Sequence, residues 1–384
     1  MAARTFGSRN FRWHALKWAT RLRPSLKNRY PFYETVVPLI DAGEAAIVRE
    51  TQPLRLTPRE AEYAKRFEPP LPDVVERSIA LVKLRNATVL GNTGAIINED
   101  RGLLLHSRYI VDRYGPAATY HDFTGMPSTP VRQPEANYFS MVDEYRGHRH
   151  FFHFLFDRLP RIFYLLSRFE MADTPFVVLT NENLPRFQQD IFGFLANQFP
   201  NLTFRPIPQR ERWRLPTLYA IDDMQPVRRT FLPPDAVGFL RKLVIEGYGL
   251  SPAAPYRRLF INRRDAQKRN IKNEAEIWPS LARRGFEDIS PGTLSFRDQV
   301  ALFSEAEMVA GPHGAGFSNL LFAPSGARVL EISNLERVKS VYFLLTISLG
   351  QHYASVIGER GDHREWFSVD PAKVDAALSA LEQF

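Results

Sequence analysis

The stretch Met308-Val309-Ala310-Gly311-Pro312-His313-Gly314-Ala315-Gly316-Phe317-Ser318-Asn319 decides how this chain is read. Met308-Val309-Ala310 is an apolar run of the kind that closes a buried strand. Gly311, Gly314 and Gly316 then form a turn in which the backbone can approach a neighbour with no Cβ in the way. From Ser318 onward the pattern predicts the start of a helix. Strand, glycine loop and helix together present free N–H groups and a positive dipole end to a phosphate. The spacing G-x-x-G-x-G is neither the dinucleotide fingerprint nor a P-loop. The same residues also serve a tight strand–helix connection that binds nothing, so a second signal is needed.

Working outward, the same rhythm recurs. Upstream, Leu259-Phe260-Ile261 predicts a strand, 274–284 a helix, 286–289 a strand and 296–304 a helix. Downstream, 328–332 predicts a strand, and 341–349 and 372–381 predict helices. In the first half, apolar runs at 80–82, 87–90, 95–97 and 103–105, separated by Asn92, Gly94, Asp100 and Gly102, predict a β-meander. A helix over 151–169, a strand at 176–179, a helix over 185–198, strands at 204–207 and 218–221, and a helix over 234–248 follow. Strands alternating with helices imply parallel sheets and an α/β fold. A Pro-rich loop at 251–255 marks a boundary. The expected domains are a basic tail and linker (1–75), an N-terminal α/β domain (76–250) and a C-terminal Rossmann-like domain (251–384). Two such domains would face each other across a cleft, with ligands at the C-terminal ends of strands.

Composition narrows the function classes. The chain has 384 residues, 44% of them apolar and 24% charged, which fits a folded protein. It has no cysteine, which excludes disulfides, thiolate metal sites and a cysteine nucleophile and suits a reducing compartment. The net charge of +8 belongs to residues 1–30, which carry eight Lys or Arg and no acid. The remaining 42 basic and 42 acidic residues balance, which argues against a nucleic-acid-binding body. The tail lacks the apolar run of a signal peptide, and no stretch is long and apolar enough to span a bilayer. On a helical wheel Phe11, Ala15, Trp18 and Leu22 share a face away from Arg12, Lys17, Arg21 and Arg23. That pattern suits an anionic membrane surface, or equally a basic arm with no such role.

Two further constellations carry chemistry. Arg263, Arg264, Lys268, Arg269 and Lys272 fall within ten residues directly after a strand of the glycine-loop domain. Arginine offers paired donors to phosphate oxygens, although a charge run is often only a solvated face. The segment 148–161 places His153 and Asp157 four residues apart, on one face of an α-helix. A carboxylate there would orient an imidazole able to deprotonate a hydroxyl. The competing reading is a helix that packs its aromatics around a polar pair. The same spacing could supply two metal ligands, but no third is apparent.

Phe151-Phe152-His153 with Asp157-Arg158-Leu159-Pro160-Arg161 resembles glycosyltransferase family 61. So do Asn262-Arg263-Arg264 through Glu274, and Gly311 to Gly316 with Asn319 to Pro324 and Val329-Leu330-Glu331-Ile332. The family includes plant xylan arabinosyl- and xylosyltransferases and animal protein O-linked N-acetylglucosamine transferases, and its bacterial members are associated with surface polysaccharide. The resemblance implies a GT-B-type fold, inversion at the anomeric carbon and no metal or other cofactor. It implies a nucleotide-sugar donor, a glycan or lipid-linked glycan acceptor, and a cytoplasmic protein, peripheral at the membrane if the tail binds there. On that basis Arg263, Arg269 and the backbone of Gly314, Ala315 and Gly316 are assigned to the diphosphate. Glu331 is assigned to the ribose hydroxyls, and His313 to phosphate or donor sugar. Asn262, Glu274 and Asn319 complete the donor-side set, and His153 or Asp157 is the base. A nucleotide-sugar epimerase and a non-catalytic polysaccharide-binding protein are the rival expectations.

Overall fold

The computed structural model describes residues 45–49, 52–53, 56–67, 71, 74–76, 79–98, 103–105, 127–130, 135–143, 149–168, 173–223 and 232–384. The basic tail and its amphipathic pattern lie outside the described residues. The chain divides into two compact units. Of the described residues, the first draws on those within 45–49, 79–154 and 164–223, and the second on those within 52–76, 155–163 and 232–384. The helix Pro234–Gly247 therefore goes with the second unit, not with the first as the Pro-rich loop had suggested.

The first unit is a mixed sheet. Its strands are β1 (Ala45–Arg49), β4 (Ile79–Leu90), β5 (Ile96–Asn98), β6 (Leu103–Leu105), β7 (Ser128–Pro130), β8 (Asn137–Ser140), β9 (Phe176–Asn181), β10 (Leu202–Ile207) and β11 (Arg212–Asp223). The short strands β2 (Gln52–Pro53) and β3 (Val74–Glu76) pair with each other in the second unit. The main order is β10-β9-β8-β11-β4-β5-β6. β4, β5 and β6 form the expected antiparallel meander, while β8, β9 and β10 run parallel. Half of this sheet is thus not Rossmann-like. The two apolar runs at 80–82 and 87–90 belong to one long strand, because β4 pairs along its whole length with β11. β9 is buried throughout, as a parallel strand covered on both faces should be.

The second unit carries a five-stranded parallel sheet of β12 (Arg257–Ile261), β13 (Phe286–Ile289), β14 (Ala306–Pro312), β15 (Arg328–Ser333) and β16 (His352–Ile357). Their order is β13-β12-β14-β15-β16. Helices Glu274–Arg283, Phe296–Ser304, Val341–Leu349 and Pro371–Leu381 connect or flank them, close to the sequence expectation. Strand β16 was not anticipated. Its core includes Phe260, Ile277, Leu281, Met308, Ala310, Leu330, Ile332, Val374 and Leu378, all buried. The helix expected after the glycine loop is instead a 3₁₀ segment, Ala315–Leu321. Asn319 Nδ2 donates 3.2 Å to the Gly316 carbonyl, three residues back, and 2.9 Å to Gln299 Oε1, which holds this tight winding in place.

Gly311 has φ 158°, and a Cβ added there would stand 2.5 Å from the carbonyl oxygen of Ile261. That obstacle is backbone and cannot swing aside. Gly311→Ala is expected to push β14 away from β12 and to lower stability by about 1–3 kcal/mol or more, as overpacking does. Chemical denaturation of the full chain measures this, and an unchanged midpoint would contradict the close approach.

Candidate functional site

Chain order and strand order part company between β12 and β14. From β12 the chain crosses to β13 on one side, then returns to place β14 on the other. At such a reversal the loops leaving adjacent strand ends diverge and open a crevice at the carboxyl edge of the sheet. The two loops here begin with Asn262-Arg263 and His313-Gly314, the two segments singled out in the sequence.

They meet at one contact. A Cβ on Gly314 would fall 1.8 Å from Arg263 Nη1, so the guanidinium occupies the space a side chain would need. Arg263 Nε donates 3.1 Å to the Lys268 carbonyl, which fixes its direction. Gly316 is held close by Ile261, whose Cγ2 would lie 2.9 Å from an added Cβ. Among the described residues the N–H groups of Gly314, Ala315 and Gly316 have no hydrogen-bond partner. Three successive open donors beside a guanidinium form a concavity suited to an anion.

Ion pairing sorts the five cations of the 263–272 segment. Arg264 is taken by Glu274 and, at 2.7 Å, by Asp288. Lys272 pairs with Asp362 at 3.2 Å. Lys268 and Arg269 reach Glu365 at 3.4 and 3.8 Å, and the same carboxylate binds Arg337 at 2.8 Å. The Arg337 hydrogen bond, ahead of the other influences, holds the Glu365 carboxyl below the usual range. Arg263 alone of the five has no ion pair among the described residues. Burial first, and the neighbouring charge of Arg269 second, lower its pKa. A partly buried guanidinium without a counterion is stabilised by whatever anion reaches it. Arg269 sits at φ 66°, a left-handed conformation uncommon for a non-glycine residue, with its N–H bonded 3.2 Å to the Arg364 carbonyl.

His313, at the mouth of the glycine loop, turns Nδ1 to Glu331 Oε1 on β15. The other Glu331 oxygen accepts 2.6 Å from the hydroxyl of Tyr353 on β16. Glu331 is 1% exposed, so both its oxygens are committed inside the protein. That arrangement differs from the expected contact with ribose hydroxyls, which would need a free, accessible carboxylate edge. Tyr342, from the helix Val341–Leu349, donates 2.6 Å to the Gly314 carbonyl, and its ring lies 5.2 Å from that of His313. Burial, then the charge of Glu331, pushes both tyrosine hydroxyls up, so both remain neutral donors.

The remaining expected donor-side residues shape the loops. Asn262 Nδ2 donates 2.6 Å to Asp288 and its Oδ1 accepts 2.7 Å from Ser290, pinning the start of the arginine loop. Glu274 engages Arg264, and Asn319 bonds Gly316 and Gln299 as described. Tyr342, Tyr353 and Glu365 were not anticipated. Tyr353 lies on the unforeseen strand, and Tyr342 reads as one more core aromatic of an apolar helix. His153 ends the α-helical turn Phe151–His153, with the His150 ring 4.7 Å away. Asp157 lies in a π-helical turn, Phe154–Arg158. The α-helical i,i+4 geometry argued for this pair is therefore not the winding of the segment. Among the described residues no three His, Asp or Glu side chains gather to hold a metal ion, and no helix is long and apolar enough to cross a membrane.

The family model described as Glycosyltransferase 61 matches residues 151–330, which include Arg263, the arginine loop and the glycine loop. A comparison with curated proteins finds no match.

Gly314→Ala isolates the anion site from the fold. Its added Cβ meets only the far end of a flexible side chain, so the melting temperature should stay near the parent value. Arg263 must move, and affinity for inorganic pyrophosphate should fall about tenfold or more, as when a charge-assisted hydrogen bond is lost. Titration calorimetry beside thermal melting reads both. Unchanged pyrophosphate affinity would detach Arg263 from anion binding.

Proposed function

We propose that this chain, whose residues 151–330 belong to glycosyltransferase family 61, transfers a sugar from a nucleotide-sugar donor to a glycan or lipid-linked glycan acceptor, with inversion and without a metal. The observation that carries the proposal is the unpaired Arg263 guanidinium set against Gly314, where the strand order reverses. There it stands beside the three open N–H groups of Gly314, Ala315 and Gly316. Such a site suits a diphosphate.

In the proposed reaction the acceptor oxygen forms a bond to the anomeric carbon as the bond from that carbon to the diphosphate oxygen breaks. The bonding pair leaves with the diphosphate, and the acceptor proton passes to a base. Arg263, Arg269 and the loop N–H groups meet the growing negative charge, a preorganised stabilisation that water could not supply as cheaply. His153 or Asp157 is the proposed base. A GT-B arrangement, a cytoplasmic setting, a role in bacterial surface polysaccharide and attachment of residues 1–30 to an anionic membrane belong to the same proposal.

The test is incubation of the full chain with nucleotide sugars, with and without glycan acceptors. Transfer should require acceptor, survive EDTA and give the opposite anomer by NMR. Arg263→Ala should lose on the order of 100-fold in rate and also bind nucleotide diphosphate more weakly. His153→Ala should lose turnover with nucleotide affinity nearly unchanged. Conversion of donor without acceptor would instead indicate an epimerase, and absence of any nucleotide binding would remove the catalytic reading.

A further inference from the structure

His313 is the one side chain at the glycine loop whose two polar atoms have different surroundings. Nδ1 faces the Glu331 carboxylate, which is anchored from behind by the Tyr353 hydroxyl. An ionised carboxylate oxygen can only accept, so Nδ1, facing Glu331 Oε1, carries the proton, while the Tyr353 hydroxyl donates to the other oxygen. Nε2 has no hydrogen-bond partner among the described residues. His313 directly precedes Gly314, the residue against which Arg263 rests. The side chain is 13% exposed, whereas that of Glu331 is 1% exposed. The ring is thus reachable from the loop and the carboxylate behind it is not.

We propose that Glu331 is a positioning residue that locks His313 in the Nδ1–H tautomer, so that Nε2 meets the donor diphosphate and takes up a proton from solvent as the diphosphate binds. This rests on the donor-site reading above. With Nδ1 committed, Nε2 can approach a phosphate oxygen favourably only as N–H, which makes the ring an imidazolium held between two anions. The proton returns to solvent when the diphosphate leaves.

The surrounding groups point the same way. Arg263 and Arg269, from the loop after β12, bring positive charge to this neighbourhood, where their effect on the Tyr342 hydroxyl opposes that of Glu331. A diphosphate bound beside them would bring negative charge to the same place. Tyr342 and Tyr353, facing the cluster from the helix Val341–Leu349 and from β16, stay neutral because burial pushes their hydroxyls up. That leaves the imidazole as the group able to change charge when the anion arrives. The two arginines cannot, since guanidinium keeps its proton.

The experiment is calorimetric titration of inorganic pyrophosphate into the full chain. It is run at one pH in buffers of different ionisation heat, then across pH 6 to 8. The parent should take up more protons on binding than Glu331→Gln or His313→Gln. Its affinity should decline with rising pH more steeply than theirs, by up to about tenfold per pH unit for one linked proton. Thermal melting accompanies each variant. Should the buried Glu331→Gln fail to fold, the partly accessible His313→Gln carries the comparison alone. Equal proton uptake and equal pH slopes in parent and folded variants would overturn the inference while leaving the donor-site reading intact. Absence of pyrophosphate binding by the parent would overturn both.

Discussion

The close approach of β14 to β12 is the constraint from which the rest of the site follows. At Gly311 the backbone runs so near the Ile261 carbonyl that a Cβ would stand 2.5 Å from it. The parallel register pairs Ala310 with Phe260, so the two strands end together. Two loops of unrelated sequence therefore start side by side, one opening with Arg263 and the other with Gly314. Neither has an anion site of its own. The glycine loop supplies N–H groups without charge, and the arginine loop supplies the charge. Only their adjacency at the strand reversal sets open N–H groups beside an arginine, the arrangement on which the proposed diphosphate site rests.

Charge pairing then selects which arginine is left available. Acidic residues satisfy Arg264, Lys268 and Lys272, and the weak 3.8 Å pairing of Arg269 with Glu365 leaves it intermediate. These pairs hold the loop around Arg263 while contributing little individually to stability, since Arg264, Lys268 and Lys272 are themselves exposed. Arg263 has no such partner among the described residues and is partly buried, which costs stability. A folded chain that retains such a cost at a strand-end crevice is preorganised for a charged ligand.

Much of this is legible in the sequence alone. The apolar runs and the helices between them gave the second unit its parallel strands, because period and punctuation report on burial directly. The glycine loop and Arg263 stand out in the sequence as well, as small residues and clustered cations at strand ends, a pattern that also fits a tight connection and a solvated face. What escaped was decided by partners distant in sequence. Whether a lysine or arginine in 263–272 is a ligand group or a solvated face depends on Asp288, Asp362 and Glu365, which lie up to 97 residues away for Lys268. The role of Glu331 depends on Tyr353, on a strand whose sequence, His352-Tyr353-Ala354-Ser355-Val356-Ile357, alternates too weakly to stand out. The π-helical turn over Phe154–Arg158 left no pattern distinguishable from an ordinary helix.

The 3₁₀ segment bears on how the proposed anion site would work. An α-helix opening at the glycine loop would have brought a macrodipole worth a fraction of a charge at its N-terminus. Seven residues of 3₁₀ winding bring little of that, and Asn319 holds the segment tight by bonding the Gly316 carbonyl. The N–H groups of Gly314, Ala315 and Gly316 consequently act as local donors that set direction and distance. The charge has to come from side chains. That division explains why a segment with so few residues available for chemistry keeps an unpaired arginine directly over its central glycine. It also explains why the imidazole beside that glycine is braced by a buried carboxylate and a tyrosine instead of being left to rotate. With little dipole to rely on, Arg263 is oriented by the Lys268 carbonyl of its own loop, His313 by Glu331 on β15 with Tyr353 of β16 behind it, and the Gly314 carbonyl by Tyr342.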